Sequence, residues 1–206
     1  RRSQAGSENL ATGVCPTQDY KTNMISTSQM LMMQSAGNEI GSHSVTHPDF
    51  TMLTDAQIEM ESKNSKESLV SQGLNINNFA YPYGTGDLSH ADSIVLKYYR
   101  SARGVDYAPM TLNNNVFHLP CYTSEVRPYA LKMPALKNII DYTAIYNQWT
   151  ILLFHYITDW NSANVYGGIA TSDFAALLDY LKMSPVQVLT VNEALNLGVT
   201  PPMPPP

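Results

Sequence analysis

The chain has 206 residues, about the size of one domain, and 44% of them are hydrophobic, which excludes a disordered chain. Charged residues make up only 14%, and the net charge of −5 comes without a run of Lys or Arg. Neither nucleic acid nor an anionic membrane is therefore an expected partner, and a neutral partner such as a sugar agrees better with the composition. No apolar stretch approaches about 18 residues, so no transmembrane segment is predicted.

The two ends of the chain differ in composition from its middle. Residues 1–23 are mostly small and polar without a period, and we expect an irregular segment there. Residues 24–199 carry the pattern of one domain, and the proline-rich residues 200–206 predict a polyproline II tail or linker. Because the sequence begins without Met or a signal peptide, we expect a piece of a longer protein.

Helices and short strands are predicted to alternate along residues 24–199. Capping boxes that begin at Ser26 and Thr54 predict helices that end at Gly37 and Gly73. The apolar pattern predicts further helices at about residues 89–100, 134–149, 174–181 and 190–198. It predicts short strands at residues 39–41, 78–81, 116–119, 151–154 and 186–189. This alternation is typical of βα units, so the predicted fold class is α/β with a parallel sheet.

Three histidines follow predicted strands. His43 and His47 come just after residues 39–41, and His155 follows the apolar run 151–154, which is expected to be a strand buried on both sides. Active sites collect at the carboxyl ends of parallel strands. Two imidazoles at this spacing can bind one metal ion from a tight turn, although packed or capped histidines have the same pattern. His155 is a candidate general acid, or a core histidine with a satisfied hydrogen bond.

Residues 81–84 (YPYG) predict a tight turn after a strand, and its backbone N–H groups can hold an oxyanion. Ordinary turn chemistry is the alternative. Tyr156 and Trp160 follow His155 and could form an apolar wall for a sugar ring, or belong to the core. The two cysteines, Cys15 and Cys121, suit an exported protein with one disulfide, but two unpaired buried thiols fit equally well.

Three segments in this order resemble the polysaccharide deacetylases of carbohydrate esterase family four. They are residues 37–50 (GNEIGSHSVTHPDF), 79–84 (FAYPYG) and 151–157 (ILLFHYI), within a resemblance that runs over about residues 24–197. It implies a distorted (β/α) barrel and a secreted or cell-surface hydrolase. The substrate implied is an N-acetylated polysaccharide similar to chitin, peptidoglycan or poly-N-acetylglucosamine, from which acetyl groups are removed.

The resemblance also implies roles for individual residues. His43 and His47 would be ligands of a divalent metal, usually zinc, that binds the acetamide oxygen and the attacking water. The backbone N–H of Tyr83 would help to hold the oxyanion, and His155, tuned by Asp106, would protonate the leaving amine. Residues that would contact the substrate are Tyr81, Pro82, Tyr156 and Trp160.

One family motif is missing from this sequence. Thr-Phe-Asp-Asp-Gly, which carries the general base and the third metal ligand on the first strand, does not occur, and Asp19 stands in a different context. The barrel is therefore expected to lack its first βα unit, and its open edges predict a neighbouring domain or chain that completes it. With two metal ligands, this chain alone is expected to bind metal weakly or not at all.

Two interpretations of the missing motif stay open. The native protein either has an N-terminal piece that carries the aspartates, or is a degenerate relative with a structural or glycan-binding role in an extracellular assembly. Ala80, where many members have an arginine that steadies the base, is a smaller departure. For the activity itself, the resemblance also allows an esterase that acts on O-acetylated xylan.

Overall fold

A computed structural model of the chain describes residues 25–84, 88–105, 116–123, 132–158 and 168–197. In these residues the helices are α1 (Thr27–Ser35), α2 (Asp55–Ser71), α3 (Ser89–Val95), α4 (Met133–Ile145), α5 (Thr171–Met183) and α6 (Val191–Asn196). The strands are β1 (Asn78–Ala80), β2 (Ser101–Arg103), β3 (Tyr122–Thr123), β4 (Leu152–Leu153), β5 (Tyr156–Thr158) and β6 (Gly168–Ala170). Within the described ranges, no helix has both the length and the apolar character needed to span a membrane.

In the residues that the structure describes, all three strand pairs are parallel, which confirms the predicted α/β class. Strand β1 pairs with β2 in the register Phe79 to Ala102, β3 pairs with β4, and β5 pairs with β6. Helix α3 lies between β1 and β2 in the chain, and α4 lies between β3 and β4. Each of these is a βαβ unit, the connection that a parallel pair requires. The closed barrel that the resemblance implies stays a prediction.

The chain divides into two compact units. Of the described residues, the first unit contains 25–84, 88–104, 116–118 and 190–192. The second contains residue 105 and residues 119–123, 132–158, 168–189 and 193–197. The predicted end segments, residues 1–23 and 200–206, lie outside the described residues, so the predicted domain boundaries stay predictions.

Both predicted capping boxes in the first unit are confirmed. The N-cap residue Ser26 exchanges hydrogen bonds with Gln29 at the start of α1, and Thr54 does the same with Gln57 at the start of α2. Each box satisfies backbone N–H groups that a helix N-terminus would otherwise leave without partners. The chain leaves α1 and α2 in the left-handed region at Gly37 (φ 91°) and Gly73 (φ 89°), as predicted.

Aromatic rings form the centre of the first unit's core. The ring of Phe79 on β1 lies 5.6 Å from Phe50, 5.4 Å from Tyr81 and 5.0 Å from Tyr99 between ring centroids. All four side chains are buried. Tilted and edge-on arrangements at these distances are favourable for aromatic pairs, so β1 is fixed from several sides.

Helix α2 turns a largely polar face towards the strand side of this unit. Its buried residues are Ile58, Ser62 and Ser65, which recur at helical spacing. The hydroxyl of Ser65 is hydrogen bonded to that of Ser42, and Tyr99 Oη donates to the Ser62 carbonyl at 2.7 Å. Small side chains let the helix approach closely. The bond to Ser42 connects it to the segment before His43, and the bond to Tyr99 connects it to the segment between α3 and β2.

The second unit has its own core between α4, α5 and β6. Leu136 and Ile140 on α4 are buried with Ile169 on β6 and Leu177 on α5. The predicted apolar face of α4 is thus present. The helix ends at Ile145 rather than near Trp149, because Asn147 adopts the left-handed conformation (φ 48°), which Asn tolerates and which stops a helix.

Several predicted strands are shorter than expected or are not strands. Residues 151–154 are half-buried and contribute only Leu152–Leu153, so the expectation of a strand buried on both sides is wrong. Residues 186–189 form no strand, and Val188 is 74% exposed. Residues 116–119 form a turn with one bridging residue, and residues 39–41 precede a single parallel bridge between Ser42 and Phe79. A strand needs a partner, which an apolar run does not itself supply.

Candidate active site

The histidine loop, residues 43–47, begins where the chain runs beside the end of β1. The Ser42 N–H donates to the Asn78 carbonyl at 3.0 Å, and the Ala80 N–H donates to the Ser42 carbonyl at 2.9 Å. This parallel bridge fixes the point from which the loop leaves. His43 therefore emerges at the carboxyl end of β1, as a parallel α/β fold predicts for a functional side chain.

The two predicted metal ligands lie together. The rings of His43 and His47 are 4.8 Å apart between centroids and meet edge to face at 78°. His43 Nδ1 lies 2.7 Å from the Ala80 carbonyl oxygen. Because a carbonyl oxygen only accepts, Nδ1 carries the proton, and in the neutral ring Nε2 carries the lone pair. A histidine held in this way has the ring orientation and the tautomer that a metal ligand requires.

Two residues of the loop have left-handed backbone conformations, although neither is glycine. Ser44 has φ 69° and His47 has φ 59°. The His47 N–H donates to Ser44 Oγ at 3.0 Å. The Glu61 carboxylate on α2 accepts from Val45 and Thr46. Sequence reasoning missed Glu61, because its spacing does not distinguish it from the other glutamates of α2.

The predicted turn at residues 81–84 brings a third predicted residue to the histidines. The ring of Tyr83 lies 4.8 Å from that of His47 at an angle of 75°, and Tyr83 is 52% exposed. Tyr83 itself has φ 63°, and Gly84 has φ 59°. Two successive left-handed residues turn the chain sharply after β1 and place the Tyr83 ring against the histidine loop.

Tyr81 and Pro82 lie in the core, which differs from the expectation that they contact the substrate. Tyr81 is 1% exposed, and Pro82 is also buried. The Tyr81 hydroxyl donates to Asp92 on α3 at 2.9 Å. Burial, with the Asp92 charge adding to it, raises the pKa of Tyr81 well above the usual value near 10. The neutral phenol thus holds the turn in place by donating a hydrogen bond to α3.

Gly104 supports the same turn from the end of β2. A Cβ atom at Gly104 would lie 3.0 Å from the Gly84 carbonyl oxygen and 3.3 Å from His118 Nε2. Such close approach of two backbone segments requires glycine. The sequence pattern around His118 did not indicate this neighbourhood.

His155 and Tyr156 belong to the second unit. His155 lies between β4 and β5 and is exposed, and its ring centroid is 6.4 Å from that of Tyr156, which is 41% exposed. Two other predicted residues, Asp106 and Trp160, lie outside the described residues. The predicted effect of Asp106 on His155 and the predicted contact of Trp160 with a sugar ring therefore stay predictions.

The donor chemistry of the histidine pair fits zinc. Two neutral imidazoles are common zinc ligands, and a structural or catalytic site takes at least one more protein ligand. In the part of the chain that the structure describes, no three His, Cys, Asp or Glu side chains form a group that could hold a metal. The pair would supply two of the ligands, and a third would have to come from outside this part. Cys121 is buried and Cys15 is not described, so their pairing stays a prediction.

Comparison with known proteins identifies the region around the histidine loop. A family profile described as polysaccharide deacetylase matches residues 11–102. A gellan lyase from Bacillus sp is 26% identical over 146 residues, an alignment that covers 62% of this chain. This chain spans only 6% of the length of that relative.

Solved structures with similarity to this chain carry related names. A deacetylase from Streptococcus pyogenes in complex with acetate is 24% identical with a TM-score of 0.45, covering 48% of this chain and 44% of that one. A polysaccharide deacetylase from Bacillus cereus is 27% identical with a TM-score of 0.43, covering 48% and 32%. A family 4 carbohydrate esterase from Streptomyces lividans in complex with acetate is 19% identical with a TM-score of 0.47, covering 76% and 67%.

The profile match contains the histidine loop and the turn that carries Tyr83. These are also the residues that the structure brings together in the first unit. Residues 11–102 of this chain, a little under half of its length, match the polysaccharide deacetylase family.

Proposed function

We propose that this protein is a metal-dependent hydrolase that removes acetyl groups from an N-acetylated polysaccharide. Chitin-like, peptidoglycan-like and poly-N-acetylglucosamine-like polymers are the candidate substrates. The observation that carries the proposal is the His43–His47 pair, with rings 4.8 Å apart, beside Tyr83 in the region that matches the family. The low charge of the chain and the name of its gellan lyase relative agree with a polysaccharide partner.

His43 and His47 would hold the metal, with zinc as the proposed ion. The Ala80 carbonyl supports this assignment, because it fixes the His43 proton on Nδ1. The lone pair of the neutral ring is then on Nε2, the atom that would bind the metal. When bound, the metal would polarise the acetyl carbonyl and lower the pKa of a water molecule. The aspartate pair of the missing family motif would supply the general base and the third ligand in the native protein.

Other residues of this chain would act on the substrate directly. The backbone N–H of Tyr83 would donate to the oxyanion that develops on the carbonyl oxygen of the acetyl group. His155 would give a proton to the leaving amine, with Asp106 as its positioning partner. Tyr156 and Trp160 would hold a sugar ring by apolar contact.

A second candidate function is a degenerate deacetylase-like domain with a structural or glycan-binding role. The absence of the Asp-Asp motif from the sequence favours it, as does the lack of a three-ligand cluster in the ranges that the structure covers. In either case we propose a secreted or cell-surface location and a neighbouring domain or chain that completes the barrel.

Acetate release separates the two functions. Protein purified from its native source is incubated with acetylated chito-oligomers, and released acetate is measured before and after chelation and with zinc added back. We expect release that chelation abolishes and zinc restores. In recombinant protein of the same natural length, His47→Ala should lower the rate at least 100-fold or so, whereas His90→Ala, at an exposed position in α3, should not. Absence of release with bound zinc retained would contradict the proposal.

A further inference from the structure

We propose that Glu61 is a positioning residue that holds the histidine loop in its metal-binding conformation; this rests on the proposed function. Glu61 lies on α2 and is half-buried. Its Oε2 accepts from the Val45 N–H at 2.7 Å and from the Thr46 N–H at 2.9 Å. Its Oε1 accepts from the Thr46 hydroxyl at 2.7 Å. Both carboxylate oxygens are thus committed to the two residues between Ser44 and His47.

The loop needs such an anchor because of its backbone. Ser44 and His47, with φ of 69° and 59°, flank the segment that Glu61 binds. Residues with a Cβ adopt this region only when the surroundings hold them there. Charge-assisted bonds from two adjacent N–H groups to one carboxylate are stronger than neutral ones and define a direction. Without them, we expect the segment to relax towards ordinary backbone angles and to move His47.

Helix α2 is a rigid base for this anchor. Ile58 and Ser62 beside Glu61 are buried, and Ser65 one turn further is bonded to Ser42. The same helix therefore holds Ser42, the residue before the loop, through Ser65, and the middle of the loop through Glu61. His43, by contrast, is fixed by the Ala80 carbonyl. Loss of Glu61 should therefore affect the middle of the loop and His47 more than His43.

The substitution Glu61→Gln isolates this role, because it keeps the size of the side chain. An amide replaces one acceptor oxygen with an NH2 donor, which cannot accept from a backbone N–H. Glu61→Ala is the second variant, in case the remaining amide oxygen supports part of the loop. Glu67→Gln is the matched control: Glu67 lies on the same helix, is 64% exposed and pairs with Lys63 at 3.9 Å.

The test uses protein of full natural length and two readouts. Zinc affinity is measured by calorimetry, and hydrogen exchange of the Val45, Thr46 and His47 amides is measured in the metal-free protein. Glu61→Gln should weaken zinc binding about 10- to 100-fold, as loss of a residue that orients a metal ligand typically does. It should also accelerate exchange of these amides at least about 10-fold, while amides of the first unit's core keep their rates. Glu67→Gln should change neither quantity.

Unchanged zinc affinity and unchanged exchange in both Glu61 variants would overturn the inference. Faster exchange throughout the first unit would overturn it as well, because Glu61 would then stabilise the unit rather than position the loop. Wild-type protein that binds no zinc would contradict the proposed function. In that case the exchange data still decide whether Glu61 holds the loop: acceleration confined to Val45, Thr46 and His47 would support it, and unchanged rates would overturn it.

Discussion

His43 Nδ1 donates to the backbone carbonyl of Ala80 across 2.7 Å. This one bond connects the first residue of the histidine loop to the last residue of β1. It fixes both the ring orientation and the tautomer, and it leaves the lone pair of the neutral ring on Nε2. Ala80 needs no side chain for this contact, so the departure from the arginine of many family members leaves it intact.

The tautomer of His43 is the first prediction. In metal-free protein at alkaline pH, long-range proton–nitrogen NMR should show His43 with the proton on Nδ1 and an unprotonated Nε2. His90, exposed in α3, is the internal reference and should sample both tautomers. A His43 ring with its proton on Nε2 would contradict the hydrogen bond and the ligand assignment that depends on it.

The second prediction concerns the support of the Tyr83 turn. Gly104→Ala places a methyl group 3.0 Å from the Gly84 carbonyl oxygen, a backbone atom that cannot move aside alone. The free energy of unfolding should fall by about 1–3 kcal/mol, as measured by urea denaturation. Gly37→Asn is the control without a steric contact: no atom lies within 4 Å, so its cost comes only from φ 91°, which Asn adopts more readily than most residues. Equal effects of the two substitutions would contradict the close approach at Gly104.

A third prediction contrasts two buried serines of α2. Ser62 Oγ is buried and has no hydrogen-bond partner among the described residues, so Ser62→Ala removes an uncompensated polar atom. Its effect on the free energy of unfolding should lie between zero and about 1 kcal/mol of stabilisation. Ser65→Ala removes the partner of the buried Ser42 hydroxyl and should destabilise by about 1–2 kcal/mol. Destabilisation by Ser62→Ala equal to that by Ser65→Ala would be inconsistent with these environments.

The fourth prediction is a loss of stability at alkaline pH. Burial and Asp92 raise the pKa of Tyr81 above its unfolded value near 10, so the neutral phenol stabilises the fold fully below pH 10. As the pH rises above 10, the unfolded state loses its Tyr81 proton first, and up to about 1.4 kcal/mol of stability per pH unit disappears. Tyr81→Phe should remove this part of the pH dependence in urea titrations between pH 8 and 11.

The control for Tyr81 is Tyr142→Phe, which changes a 45% exposed tyrosine in α4. Its stability should follow that of the wild type across the same pH range. Contributions of other tyrosines whose pKa values are raised, such as Tyr99 by burial, are present in all three proteins and cancel in the comparison. Identical slopes for Tyr81→Phe and wild type would contradict the prediction.

Local chemistry explains which elements the sequence predicted well. The ends of α1 and α2 depend on a Ser or Thr, a Gln three residues later and a terminal glycine, all neighbours in the chain. Strands depend on partners that the local pattern does not contain. Residues 186–189 are apolar enough for a strand but pair with no other strand among the described residues. Val188 is exposed instead.

The same distinction applies to the candidate site. His43, His47 and Tyr83 could be predicted because a strand end, a histidine spacing and a turn are all visible in short segments. Glu61 could not, since its role depends on where α2 lies relative to the histidine loop. The burial of Tyr81 likewise depends on Asp92, which α3 supplies after a turn and an intervening segment.

The metal content of protein purified from its native source, measured by elemental mass spectrometry, decides whether the histidine pair binds a metal. We expect about one zinc or similar divalent ion per chain, held by His43, His47 and a ligand outside the described residues. A recombinant protein of the same natural length with both histidines replaced by alanine should contain none. Native protein without metal, even after zinc is added, would contradict the claim and favour a structural or glycan-binding role.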